Sequence, residues 1–118
     1  MERMITIMTD EGEFTNGQTL VVGRSLNCNF VTPKENETVS RVHLRIQISP
    51  QGEIFVQDEG SFNGTFVNGV QLDPFEPIEL DPMHDTLLIG SHLLDFQQID
   101  EDESFAVYEL LFRPAGHR

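Results

Sequence analysis

Cysteine, positive charge and long hydrophobic runs are all scarce in this sequence. Cys28 is the only cysteine among 118 residues, so the chain cannot form an internal disulfide, and a reducing compartment is favoured. No apolar stretch approaches the ~20 residues that a membrane-spanning helix needs, and no charged-then-apolar leader is visible. We therefore expect a cytoplasmic protein that has no membrane partner.

Positive charge is unevenly placed as well as scarce. The chain has 7 Lys and Arg against 20 Asp and Glu. The resulting net charge of −13 argues against a nucleic-acid partner, because binding to a phosphate backbone depends on clustered basic residues. No Lys or Arg occurs from Ile46 through Phe112, whereas Arg24, Lys34, Arg41 and Arg45 fall within one stretch. This local excess predicts a small anion site, with ordinary solvated surface charges as the alternative.

The hydrophobic pattern predicts strands. Short runs rich in β-branched and aromatic residues recur along the chain, and several alternate apolar with polar residues, as at Leu44, Ile46 and Ile48. Glycine, proline and asparagine separate these runs at close intervals. With 118 residues, the chain has room for one domain. We expect an all-β domain that forms an antiparallel sandwich or a barrel.

The end of the chain has a different pattern. Acidic residues 100–103 precede the apolar run 105–112, and Arg113, Pro114 and Gly116 follow it. Acids before such a run, with a base and then breakers after it, are the charge and stop signals of a helix. A strand is the alternative, because periodicity over so short a run discriminates poorly.

Three short polar motifs lie between the predicted strands: Gly23-Arg24, the tetrapeptide from Ser40 to His43, and the segment from Gly60 to Gly69. No single motif is specific, but in this order the set resembles the forkhead-associated (FHA) domain over residues 3–98. The resemblance implies an FHA-like antiparallel β-sandwich in residues 1–100. It also implies that residues 101–118 are a tail with a short C-terminal helix docked on the sandwich.

The resemblance implies that the three motifs jointly grip a phosphothreonine. Arg24 and Ser40 would contact the phosphate, and Arg41 would contact the phosphate or the peptide main chain. A planar guanidinium suits bidentate phosphate binding, and a hydroxyl adds a donor. For Arg24, a surface salt bridge to one of the many acids is the alternative.

The third motif supplies the remaining ligand-facing residues. By resemblance, the side-chain amide of Asn63 pairs with the ligand backbone near the phosphorylated residue. The alternative is structural, since Asn-Gly is also a preferred two-residue hairpin turn. Phe62 stands where relatives often have threonine or another polar residue that contacts phosphate, so one donor is missing here.

Four further residues are expected to support the site without touching phosphate: Gly23, His43, Gly64 and Asn68. By resemblance, His43 braces a loop through hydrogen bonds. No acid can be nominated to orient a Ser40–His43 pair, and the histidines lack the spacing of zinc ligands. Paired acids such as Asp58-Glu59 are interpreted as solvated surface. We therefore expect no catalytic residue, metal or cofactor.

The resemblance implies a non-enzymatic module that binds a phosphothreonine-containing protein or peptide, downstream of a Ser/Thr kinase. We expect a monomer. One alternative is a scaffold or regulator that binds an unphosphorylated protein surface through the same fold. Another is an enzyme with acidic catalytic residues, for which the loss of turnover on mutating an Asp or Glu would be diagnostic.

Overall fold

The computed structural model describes residues 2–115. These residues form twelve strands and no helix, and hence no helix that could cross a membrane. The strands are β1 (Met4–Thr9), β2 (Gly12–Thr15), β3 (Thr19–Gly23), β4 (Phe30–Val31), β5 (Leu44–Ile48), β6 (Ile54–Asp58), β7 (Thr65–Val67), β8 (Val70–Gln71), β9 (Ile78–Leu80), β10 (Leu87–Ile89), β11 (His92–Glu101) and β12 (Phe105–Pro114).

The strands pair into two sheets. A seven-stranded sheet has the order β2-β1-β12-β11-β10-β7-β8, and a five-stranded sheet has the order β4-β3-β5-β6-β9. All neighbours are antiparallel except β1 with β12 and β3 with β4, which are parallel. The prediction of an all-β, FHA-like antiparallel β-sandwich is confirmed, apart from its C-terminal helix.

The core lies between the sheets and follows from the alternation of apolar residues. On β5, Leu44, Ile46 and Ile48 are buried, and on β12 of the other sheet Tyr108 and Leu110 are buried. Burying each such side chain contributes about 1.5 to 3 kcal/mol relative to exposure. The core therefore holds the two sheets together and fixes the ends of the strands, from which the loops emerge.

The predicted C-terminal helix is wrong, because the segment Phe105–Pro114 forms β12. This strand pairs with β1 from Met4 to Met8 on one side and with β11 on the other. Its buried residues alternate with half-buried or exposed ones from Phe105 to Leu110, which is the period of a strand. Of the acids before it, Asp100 and Glu101 end β11 and the other two lie in the connection to β12, where the Asp102 carboxylate accepts a hydrogen bond from the Ser104 amide at 2.7 Å. Gly116, the predicted stop signal, lies outside the described residues.

Strand register brings several loops to one end of the sandwich. Val22 pairs with Leu44, and Leu44 pairs with Asp58, so the end of β3, the start of β5 and the end of β6 lie side by side. In the other sheet, the start of β7 at Thr65 pairs with the end of β10 at Ile89. The loops β3–β4, β4–β5, β6–β7 and β10–β11 therefore share this end.

The position of β12 within a sheet leads to a prediction about stability. Leu110→Ala should lower the free energy of unfolding by about 2 to 5 kcal/mol, because it leaves a cavity in the core. The neighbouring exposed residue is the matched control, and Glu109→Ala should change stability by at most about 0.5 kcal/mol. Denaturant unfolding of both variants measures this difference. Equal effects would contradict the alternation that β12 shows.

Candidate functional site

Hydrogen bonds join the three loops that carry the polar motifs. The Arg24 amide donates to the Ser40 carbonyl at 3.1 Å, and the Ser25 amide donates to the Arg41 carbonyl at 3.0 Å. The Phe62 amide donates to the Ser40 hydroxyl oxygen at 2.9 Å. The structure therefore brings together the β3–β4, β4–β5 and β6–β7 loops, which contain all five residues of the predicted ligand-binding set. We call this region the cradle.

Gly23 permits the close approach of the first two loops. It is buried at the end of β3, and a Cβ atom at this position would collide with the Arg41 carbonyl. Any other residue would push the Arg41 backbone away from the β3–β4 loop. The position of Arg41 therefore depends on the absence of a side chain at residue 23.

The two arginines of the cradle differ in how they are held. Arg24 is half-buried, and its Nε donates to the Val39 carbonyl, which fixes the guanidinium and leaves both terminal nitrogens available. Arg41 is exposed. Within residues 2–115, neither arginine forms an ion pair, whereas Arg45 pairs with Glu59 at 3.2 Å. The predicted local excess of positive charge therefore includes the two cradle arginines, neither of which is neutralised by an ion pair in this part of the chain.

Ser40 is placed so that its hydroxyl can still donate. The oxygen already accepts the Phe62 amide, which leaves the hydroxyl hydrogen for another partner. The Ser40 amide donates to Nδ1 of His43 at 2.9 Å. These two bonds hold the serine within the β4–β5 loop and tie it to the β6–β7 loop.

His43 is fully buried and connects the same two loops. Because Nδ1 accepts the Ser40 amide, the ring hydrogen lies on Nε2, which donates to the Gly64 carbonyl at 2.9 Å. Burial lowers the pKa of His43, while the Gly64 carbonyl and the nearby Asp58 oppose the shift. The ring is therefore neutral at neutral pH and faces away from solvent.

Asp58 is buried and holds the β6–β7 loop of the cradle in place, so the interpretation of Asp58 as a solvated surface acid is wrong. It is only 3% exposed, and its carboxylate accepts the amides of Gly60 at 3.0 Å and Ser61 at 3.1 Å. It also accepts the hydroxyls of Ser61 and of Thr65, the latter at 2.7 Å. Burial raises the pKa of Asp58, but the hydrogen bonds from Ser61 and Thr65 outweigh it and hold the pKa below its ordinary value.

A sequence signal for Asp58 did exist. An aspartate at the end of a strand, followed two and three residues later by glycine and serine, is typical of a turn in which the carboxylate accepts nearby amides. Glu59, its neighbour, is half-buried and accepts Gln57 at 2.8 Å in addition to its ion pair with Arg45.

Asn63 does not form the tight hairpin turn that was its alternative. That turn is made by Asn68 and Gly69, which join β7 to β8 with positive φ angles of 53° and 82°. The Asn68 side chain accepts the Thr86 amide at 2.9 Å and so supports the start of β10. Asn63 is exposed in the cradle, where its Nδ2 donates to the Thr38 carbonyl at 3.0 Å.

The surface around Asn63 combines an exposed ring with an open groove. The Phe62 side chain is 92% exposed. On the β7 and β10 side of Asn63 lies a groove of about 810 Å³, whose lining includes Thr38, Phe66 and Leu88. Gly64, next to Asn63, has a φ of +92°, which requires glycine.

In the part of the chain that the structure describes, no three His, Cys, Asp or Glu side chains group as metal ligands would.

Known proteins resemble this chain in sequence. The family model of the FHA domain matches residues 20–90. The FHA domain-containing protein PS1 of Arabidopsis thaliana is 35% identical over 86 residues, which cover 72% of this chain and 6% of that protein. The chain spans only 6% and 24% of the lengths of the two curated relatives that it matches.

Solved structures share the fold. The FHA domain of the CT664 protein from Chlamydia trachomatis is 26% identical, with a TM-score of 0.59 over 70% of this chain and 80% of that chain. The N-terminal FHA domain of S. cerevisiae Rad53p, in complex with a phosphothreonine peptide, has a TM-score of 0.54 and 19% identity over 82% of this chain and 68% of that chain. Since the family model covers more than half of the residues, the chain belongs to the FHA domain family of protein-interaction modules.

Proposed function

We propose that this domain binds phosphothreonine-containing segments of a partner protein at the cradle. The observation that carries the proposal is that hydrogen bonds bring together the loops that carry Arg24, Ser40 and Arg41, in a protein whose net charge is −13. A phosphothreonine carries about −1.5 to −2 charge and three strong acceptor oxygens at neutral pH. The cradle offers charged and neutral donors that match this group.

The amide of Asn63 extends recognition from the phosphate to the chain that carries it. One of its N–H groups is bonded to the Thr38 carbonyl, which orients the amide. The other N–H and the oxygen remain for a ligand main chain, which presents both an acceptor and a donor. This second contact favours a phosphorylated protein segment over a free phosphate ion.

The proposal has consequences for the place of the domain in signalling. Phosphothreonine is made by a Ser/Thr kinase, so the domain acts downstream of one and docks a phosphorylated partner without catalysing a reaction. The lone Cys28 supports a reducing location such as the cytoplasm. We propose that the domain binds its partner as a monomer.

Replacing Arg24 should nearly abolish phosphopeptide binding. Arg24→Ala removes charge-assisted hydrogen bonds worth about 1.5 to 3 kcal/mol each. Its affinity for a phosphothreonine peptide selected from an oriented library should fall about a hundredfold or more. Calorimetric titration of the wild type and the variant measures this change, and thermal unfolding checks that the variant is folded.

The matched control is Arg3→Ala, which removes a half-buried arginine at the other end of the sandwich. Arg3 pairs with Glu101 at 3.3 Å, and its amide donates to the Gln51 carbonyl between β5 and β6, at the end of the sandwich opposite the cradle. The affinity of Arg3→Ala for the same peptide should stay within about twofold of the wild-type affinity, because long-range electrostatic effects are screened. Undiminished binding by folded Arg24→Ala, or equal binding of the unphosphorylated peptide, would instead favour a scaffold that recognises an unphosphorylated surface.

Phosphothreonine should bind more tightly than phosphoserine. The family resemblance implies a close fit around the γ-methyl group, and a buried methyl contributes about 0.8 kcal/mol. Matched peptides that differ only in this group should therefore differ about fourfold or more in affinity. Fluorescence anisotropy with both peptides measures the ratio, and a ratio of one would contradict a methyl-specific site.

A further inference from the structure

Three large apolar side chains are exposed around the cradle, one in each of its loops. Phe62 lies in the β6–β7 loop, Leu26 in the β3–β4 loop and Val42 in the β4–β5 loop. Their side chains are 92%, 89% and 46% exposed, respectively. We call these three residues the apolar rim. Each loop therefore carries at least one residue of the predicted ligand-binding set and one exposed apolar side chain.

The rim lies next to the donors of the cradle. The Phe62 amide is bonded to the Ser40 hydroxyl at 2.9 Å, so the aromatic residue is adjacent to a proposed phosphate contact. Leu26 follows Ser25, and Val42 follows Arg41, and the Ser25 amide donates to the Arg41 carbonyl at 3.0 Å. Any segment whose phosphate reaches the Ser40 hydroxyl therefore passes close to Phe62.

The loop that carries Phe62 is held rigidly. Ser61, the preceding residue, is bonded to Asp58 through both its amide and its hydroxyl. The Gly64 amide donates to the Ser61 hydroxyl at 3.0 Å. A ligand would therefore lose little affinity to ordering this backbone. An exposed aromatic side chain on a preorganised loop is the kind of group that serves as an anchor in protein interfaces.

The immediate neighbours of Phe62 carry no charge. Ser61 and Asn63 flank it, and the nearest acid in sequence, Glu59, is bonded to Arg45 and Gln57. Phe62 itself stands where a polar phosphate contact was expected from the family resemblance. Its ring cannot donate to a phosphate, so the most favourable partner for it is an apolar side chain of the ligand.

We propose that Phe62 selects ligands with an apolar side chain within two positions of the phosphothreonine. The inference rests on the proposed function of the cradle. In an extended segment, residues two positions apart are about 7 Å apart and face the same way. Such a residue lies within reach of the rim while the phosphate contacts Ser40. Leu26 and Val42 provide further apolar surface for it.

A double-mutant cycle tests this specificity. Phosphothreonine peptides carry leucine or alanine at one of the two positions on either side of the phosphothreonine, and their affinities are measured for wild type and Phe62→Ala. In the wild type, leucine at one or more of these positions should strengthen binding about five- to tenfold. In Phe62→Ala, which keeps the amide that bonds Ser40, the preference should fall to within about twofold.

The matched control is Ile99→Ala. Ile99 is 54% exposed on β11, seven residues beyond His92 at the cradle end, or about 23 Å along the strand. The preference of Ile99→Ala for leucine-containing peptides over alanine-containing ones should equal that of the wild type. Absence of a preference at every position in the wild type, or a preference that persists in Phe62→Ala, would overturn the inference.

The cycle separates this inference from the proposed function on which it rests. If binding requires phosphate and fails in Arg24→Ala, but the leucine preference does not depend on Phe62, only the role of Phe62 is refuted. If unphosphorylated peptides bind as well as phosphorylated ones, both proposals fall. Thermal unfolding of Phe62→Ala confirms that any loss of preference occurs in a folded domain.

Discussion

The cradle end of this domain depends on two buried polar side chains, His43 and Asp58. His43 joins the β4–β5 loop to the β6–β7 loop, and Asp58 ties the β6–β7 loop to the start of β7 at Thr65. Polar groups of this kind are costly to bury unless they are bonded, and an unpaired one costs about 1 to 3 kcal/mol. Both ring nitrogens of His43 and both carboxylate oxygens of Asp58 are hydrogen-bonded. The two side chains therefore favour this arrangement of the loops over alternatives that would leave a donor or acceptor unpaired.

Three residues of the cradle share a feature that follows from this arrangement. Arg24, Ser40 and Asn63 each use one polar group within the protein and keep another for a ligand. The internal bond orients the side chain before any ligand arrives, so less conformational entropy is lost on binding. Asp58 contributes to the same orientation, because its carboxylate fixes the loop that carries Phe62 and Asn63.

The sandwich and the cradle loops could be predicted because both leave local signals in the sequence. Burial of one strand face appears as alternation, as in Leu44, Ile46 and Ile48, and the polar motifs fall between such strands. The C-terminal strand was not predicted, because one of its two partners, β1, lies about a hundred residues away in sequence and the acidic residues 100–103 before it imitate a helix start. Asp58 was missed because it was judged as one of 20 acidic residues, although its position before Gly60 and Ser61 is a local signal of a turn that buries a carboxylate.

The acidic character of the whole domain constrains how a doubly charged ligand can be recognised. A net charge of −13 disfavours the approach of phosphate groups in general. Repulsion between separated exposed charges is screened beyond about 8 Å at physiological ionic strength, whereas contacts within the cradle are not. If the domain binds phosphothreonine as proposed, affinity must therefore arise from short-range bonds to the two cradle arginines, which form no ion pair within residues 2–115, and from neutral contacts beside them. Under that proposal, electrostatic attraction at a distance contributes little, so discrimination between ligands depends on the geometry of Arg24, Ser40 and Asn63 and on the side chains around them.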